Sequence, residues 1–118
     1  MRLRTYVATL LVALTTTTLV AATLVAGTFV TSANAASMST WSRLAHCESG
    51  GRWSVNTGNG YYGGLQISPR TWRGHGGGKY ASLPHRASKG QQVRVAERIK
   101  RSQGWGAWPS CSRRIGVR

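Results

Sequence analysis

The stretch Trp41-Ser42-Arg43-Leu44-Ala45-His46-Cys47-Glu48-Ser49-Gly50-Gly51 decides how this chain is read. Trp41, Leu44, Ala45 and Glu48 fall at i, i+3, i+4 and i+7, so they share one face of a helix. Ser39 and Thr40 stand ahead of it as candidate caps, and Gly50-Gly51 stops it. Three positions of the stripe are apolar and the fourth is a carboxylate. Such a glutamate points at the interior or at a cleft wall, where burial raises the pKa of a carboxyl group. The negative end of the helix dipole acts in the same direction. A carboxyl that keeps its proton near neutral pH suits general-acid attack on a glycosidic oxygen. The competing account of Glu48 is a half-buried residue paired with Arg43 or Arg52.

Composition narrows the chemistry further. A length of 118 residues allows one domain, and 16 Lys plus Arg stand against 2 acidic residues, with no aspartate, for a formal charge of +14. That excludes an aspartate triad, an acidic Mg²⁺ or Ca²⁺ cage and a two-metal carboxylate site. Only Glu48 and Glu97 remain for acid–base work. Glu97 lies away from Ile99 on the helical wheel and within one turn of Arg94, Lys100 and Arg101, so it reads as part of a solvated charge network.

Toward the N-terminus, Arg2 and Arg4 precede an uncharged, threonine-rich apolar run from Tyr6 to Val30, and Ser32-Ala33-Asn34-Ala35 supplies an A-x-A site. This is the pattern of a secretory signal peptide over residues 1–35, cut after Ala35. A retained membrane anchor is the alternative, and the threonines with the small-residue site favour cleavage. The domain expected to remain, residues 36–118, loses Arg2 and Arg4 and so carries 14 basic side chains against the same 2 acids, a charge of +12. A domain so small has a thin core and usually needs a staple. Its cysteines, Cys47 and Cys111, enter an oxidising compartment, which makes one disulfide the default; a reactive or metal-bound thiol is the other option. His46, His75 and His85 offer no metal-ligand spacing, so no metal and no cofactor are expected.

Toward the C-terminus, Trp53 to Ile67 is rich in Gly, Asn and Tyr and suits a short irregular hairpin. Within it, Gly58 to Gly63 matches G-x-G-x-x-G without the strand, helix or downstream acid of a dinucleotide site. Ser68-Pro69 looks like a cap and first residue of a short helix through Trp72. Ser88 to Gln91 is a capping box opening a helix with Gln92, Val95, Ala96, Ile99 and Gln103 on one face. Gly104 to Pro109 reads as an aromatic loop leading to Cys111, and Ser112 to Arg118 as a basic tail. The fold class is α+β, mostly α. Trp41 is the best core aromatic, whereas Trp53, Tyr61, Tyr62, Trp105 and Trp108 sit in Gly-rich loops and either stack on sugar rings or pack beneath the loops.

The run from Trp41 to Gln66, with its Cys47-Glu48-Ser49-Gly50-Gly51 and Asn56-Thr57-Gly58-Asn59-Gly60-Tyr61-Tyr62-Gly63-Gly64-Leu65-Gln66 strings, closely resembles the resuscitation-promoting factors, secreted muralytic proteins of actinobacteria. Thr71-Trp72, Gln91-Gln92, Ala96-Glu97-Arg98 and Gln103-Gly104-Trp105-Gly106-Ala107-Trp108-Pro109 with Cys111 continue the match. The resemblance implies a small lysozyme-like domain, a disulfide mapping onto Cys47 and Cys111, and Glu48 as the catalytic glutamate. It also implies that Gln66, Thr71 and Trp72 lie in or beside a glycan groove, with Asn56, Tyr61 and Tyr62 as further cleft residues. Peptidoglycan glycan strands are then the substrate, cut at the β-1,4 bond between N-acetylmuramic acid and N-acetylglucosamine, with a wall endopeptidase as companion. A secreted or wall-associated monomer is expected, binding no nucleic acid and not inserted in a membrane once the leader is gone. The rival class is a non-catalytic binder of glycan or muropeptides; charge alone would also fit a nucleic-acid or membrane-active protein.

Overall fold

A computed structural model describes residues 35–118. The expected leader lies, apart from Ala35, outside the described residues. Among the described residues four helices carry the fold: α1 (Met38–Ser49), α2 (Pro69–Gly74), α3 (Lys89–Gln103) and α4 (Pro109–Arg114). Single 3₁₀ turns occupy Gly77–Lys79, Pro84–Arg86 and Gly104–Ala107. The segment between α1 and α2 forms no named strand, only isolated antiparallel bridges of Tyr62 with Asn56 and with Ile67. The result is the small, mostly helical domain with a minor irregular β region that the sequence implies.

Helix α1 begins earlier than its apolar pattern suggests. Ser37, not Ser39 or Thr40, is the N-cap, and its hydroxyl accepts from the Thr40 N–H at 3.1 Å. The far end stops where expected: Gly50 sits at φ 69°, and the N–H groups of Gly50 and Gly51 return to the carbonyls of His46 and Ala45. Trp41, Leu44 and Ala45 are completely buried. The Trp41 ring lies 5.0 Å from that of Trp105 and 5.3 Å from that of Trp108, so three indoles form the centre of the core.

Helix α3 is the second pillar, and its capping box is present in full. Gln92 is wholly buried, yet its amide is satisfied: Oε1 accepts from the Gly64 N–H at 3.0 Å, while Nε2 donates to the carbonyls of Trp53 (2.9 Å) and Ala87 (3.0 Å). One side chain thereby ties α3 to the irregular hairpin. Gly64 must lack a side chain there, because a Cβ would come within 2.5 Å of the Trp53 ring.

Beyond α3 the structure departs from the sequence reading. Pro109 to Arg114, read as loop end and tail, is a helix with proline at its start, and Cys111 and Ser112 are buried in it. Cys111 is bonded to Cys47 across 64 residues of chain, with 5.7 Å between the Cα atoms. The bond joins the last turn of α1 to α4. Among the described residues no helix is long and apolar enough to cross a membrane.

Candidate active site

The α1 stripe delivers Glu48 to the edge of the core, one turn beyond Leu44 and Ala45. There it lines a groove of about 480 Å³ whose other walls include Asn59, Tyr61, Gln66, Trp108 and Pro109. A smaller hollow of about 80 Å³ continues from it past Tyr61 and Gln66 to Ser68, Thr71 and Gln103. The disulfide anchors both sides: Cys47 adjoins Glu48 in sequence, and Cys111 itself lines the groove. A hollow of similar size behind α1, lined by Ser42, Arg43, His46 and Ile115, holds no acid.

Burial raises the pKa of the Glu48 carboxyl above its ordinary value, and no cation or hydrogen bond offsets that shift. The arginines that could have paired with it are engaged elsewhere. Arg43 donates to the Ile115 carbonyl at 2.6 Å, and Arg52 Nε donates to the Ser49 carbonyl at 2.9 Å. Among the described residues no cation pairs with this carboxyl.

Gln66 stands out on the opposite wall, since it alone among the described non-glycine residues has a positive φ, 52°. A side chain held in the left-handed region costs roughly 1–3 kcal/mol and persists where the surroundings over-determine it. Here Gln66 Nε2 donates to the Gly63 carbonyl at 3.0 Å, and Asn59 Nδ2 approaches its Oε1 at 3.4 Å. Asn59 in turn accepts from the Tyr61 N–H at 3.0 Å. The loop thus aims Gln66, Asn59 and the half-exposed Tyr61 into the groove as a unit.

Of the expected site residues, Glu48, Gln66, Tyr61 and Thr71 come together along this groove. Trp72 does not: it is fully buried, its indole N–H donating to the Ala81 carbonyl at 2.8 Å, so it supports the groove from beneath. Tyr62 turns to the other face of its loop and stacks on His85, with 5.3 Å between ring centroids. Asn56 closes an Asx turn, accepting from the Gly58 N–H at 3.0 Å, and lines neither hollow. Among the loop aromatics, Trp108 is buried with its indole bonded to the Leu65 carbonyl, and Trp53 and Trp105 pack against the core, leaving Tyr61 as the exposed ring. Asn59 and Gln103 are groove residues that the sequence reading missed.

Glu97 corrects a further expectation. It is not solvated: its side chain is 14% exposed, its Oε1 accepts from Trp41 Nε1 at 2.7 Å and from the Ala36 N–H at 2.8 Å, and Lys100 lies 3.2 Å from Oε2. It lines neither hollow of the groove.

Comparison with known proteins gives this geometry its family. The model of the transglycosylase-like domain matches residues 35–111. The chain belongs to the transglycosylase-like family. Among curated relatives of this domain, resuscitation-promoting factor Rpf1 of Corynebacterium glutamicum is 56% identical over 86 residues, covering 73% of this chain and 45% of that protein. Resuscitation-promoting factor Rpf of Micrococcus luteus is 52% identical over 85 residues, 72% of this chain and 37% of the relative. RpfE of Mycobacterium tuberculosis is 57% identical over 74 residues, 63% of this chain and 41% of that protein. The transglycosylase-like chain therefore spans less than half the length of these relatives, and the matched part holds Glu48, the groove loop and both cysteines.

Proposed function

We propose that this protein is a secreted, monomeric peptidoglycan-cleaving enzyme that acts on the β-1,4 bond between N-acetylmuramic acid and N-acetylglucosamine, with Glu48 as general acid and then general base. The observation that carries the reading is a groove that, among the described residues, holds one desolvated carboxyl and no second one. Glu48, protonated, gives its proton to the glycosidic oxygen as the bond to the muramic acid C1 breaks through an oxocarbenium-like transition state. The carboxylate then takes the proton of the muramic acid C6 hydroxyl, whose oxygen closes onto C1 to give a 1,6-anhydro product, and Glu48 regains its starting form. Glu97 cannot act as nucleophile or second base in this scheme, because Trp41, Ala36 and Lys100 occupy it away from the groove.

Tyr61, Gln66, Asn59 and Thr71 hold the glycan in this reading, Tyr61 by its exposed ring face and the others by hydrogen bonds. Residues 1–35 direct export and are removed after Ala35, and the excess of positive charge steers the mature protein to an anionic wall. In this reading its activity supports growth or the resuscitation of dormant cells; the relatives' own names say only that they promote resuscitation. Digestion of purified peptidoglycan by wild type and Glu48→Gln, read by mass spectrometry, tests the scheme. Anhydro-muropeptides from the wild type alone are expected; products bearing an added water would replace the C6 hydroxyl by water, and full activity of Glu48→Gln would overturn the mechanism.

A further inference from the structure

The second carboxylate of the chain is committed at the entrance to α1. Glu97 Oε1 holds the backbone nitrogen of Ala36 at 2.8 Å beside the Trp41 indole nitrogen at 2.7 Å. Ala36 is partly buried, its methyl packed against the core, whereas Ala35 is exposed. The domain therefore grips the chain by both methyl and nitrogen at the residue that directly follows the Ser32-Ala33-Asn34-Ala35 cleavage pattern. With residues 1–35 attached, that nitrogen is a peptide N–H, a single neutral donor. Hydrolysis of the Ala35–Ala36 bond adds water across it: Ala35 departs with the new carboxylate, and the Ala36 nitrogen becomes an α-amine, protonated below its ordinary pKa of about 7.7–8.0. The nitrogen is already within hydrogen-bonding distance of a carboxylate that is largely shielded from water, where a charge-assisted bond is stronger than a neutral one.

We propose that Glu97 is the receiving site for the α-ammonium group that leader removal creates at Ala36, so that processing converts a neutral contact into an ion pair locking the entrance of α1 onto α3. This rests on the export reading given above and on nothing in the groove. Among the described residues, the charged groups facing the nitrogen are Glu97 and, across its carboxylate, Lys100, both on α3; α1 contributes the uncharged Trp41 indole. Lys100 sits on Oε2 and leaves Oε1 to Ala36 and Trp41.

The full-length gene, expressed in a secreting actinobacterial host with isotope-labelled alanine, supplies the processed protein for the test. Mass spectrometry reads its first residue, and NMR titration reads the Ala36 amine. We expect a product beginning at Ala36 whose amine titrates at least about one unit above the ordinary α-amino range, with the excess abolished in Glu97→Gln. Because the folded pKa is then above the unfolded one, the added stability is complete below the unfolded pKa and is lost as pH rises through the folded one. The wild-type melting temperature should therefore fall across that alkaline window, and that of Glu97→Gln should not. If Glu97→Gln does not fold, a glycine inserted between Ala35 and Ala36 keeps the carboxylate but leaves Ala36 an amide, and the new amine should titrate normally. A product beginning elsewhere overturns the export boundary and the latch together. A product beginning at Ala36 with an ordinary amine pKa overturns the latch alone.

Discussion

The groove end of α1 and the entrance of α1 hold the same functional group in opposite circumstances. At the groove, Glu48 is desolvated, lacks a cation and faces a hollow of about 480 Å³. At the entrance, Glu97 collects two N–H donors on one oxygen and a lysine on the other. Both lie on helices with arginines within five positions in sequence, so charge composition alone does not separate them. What separates them is where the neighbouring cations are spent: Arg43 and Arg52 cap carbonyls, which keeps positive charge off Glu48 and leaves its proton affinity high. The carboxyl proposed to give up a proton is isolated, and the one that holds structure is paired.

The sharpest way to break this comparison is to neutralise each glutamate in turn. Glu48→Gln should lower peptidoglycan cleavage on the order of 10⁴-fold, the upper end for general acid–base catalysis because one group serves both steps. Its melting temperature at pH above the raised Glu48 pKa should match or exceed that of the wild type. A carboxyl whose pKa is raised by folding contributes stability in full only below its unfolded pKa and loses it as pH rises through the folded value, so above that value its removal costs the fold nothing. Activity of the wild type should likewise fall as pH rises through that raised pKa, because the acid form is consumed. A rate that climbs with pH across the same interval would contradict the assignment of Glu48 as the acid.

Next in size is the staple of the groove end. Replacing Cys47 and Cys111 together by serine should cost ~4 kcal/mol, the chain-entropy value for a loop of this length, read by denaturant unfolding. Since Cys47 adjoins Glu48 and Cys111 lines the groove, cleavage per folded molecule should drop as well. A variant that is destabilised yet fully active when folded would mean that the bond serves the fold alone. Glu97→Gln should show the reverse of Glu48→Gln: a loss of about 2 kcal/mol in unfolding free energy from weakened charge-assisted bonds, with cleavage per folded molecule retained. Loss of cleavage in the folded Glu97→Gln protein would end the division of labour between the two carboxylates.

Periodicity made the groove glutamate legible and misjudged the other, for a physical reason. The α1 stripe is local, so the burial of Trp41, Leu44 and Ala45 and the partial burial of Glu48 follow from spacing within one helix. Two partners of Glu97, Trp41 and Ala36, lie 56 and 61 residues away, and a helical wheel drawn on α3 sees only that helix's own cations, of which Lys100 does pair with it. Helix α4 escaped notice because six residues carry too little periodicity to count, although Pro109 at its first position was a usable signal. The placing of Trp72 and Tyr62 at the groove rests on family resemblance, which does not by itself separate a supporting residue from a contacting one. The fold puts Trp72 under the groove and turns Tyr62 away, since adjacent residues of the bridged loop face opposite sides. Asn59 and Gln103 had no pattern to betray them; their place in the groove is set by the loop's turns and by the end of α3.

The smallest effect probes what else divides the two regions. The groove carries backbone strain at Gln66, whose φ of 52° a glycine would adopt freely, whereas Ala36 and Trp41 beside Glu97 show no such conformation. If Gln66 is kept for its side chain and tolerated for its backbone, Gln66→Gly should relieve strain of about 1 kcal/mol and raise the melting temperature slightly, offset in part by the greater entropy of the unfolded glycine chain. The same change removes the amide that reaches Gly63 and Asn59, so glycan binding should weaken and KM should rise while the Glu48-dependent pH profile keeps its shape. Stability and activity moving in opposite directions would show that the groove stores strain for function. Stability and activity falling together would instead make Gln66 a structural clasp of the loop, and the contrast between a strained groove and a relaxed α1 entrance would then rest on Glu48 alone.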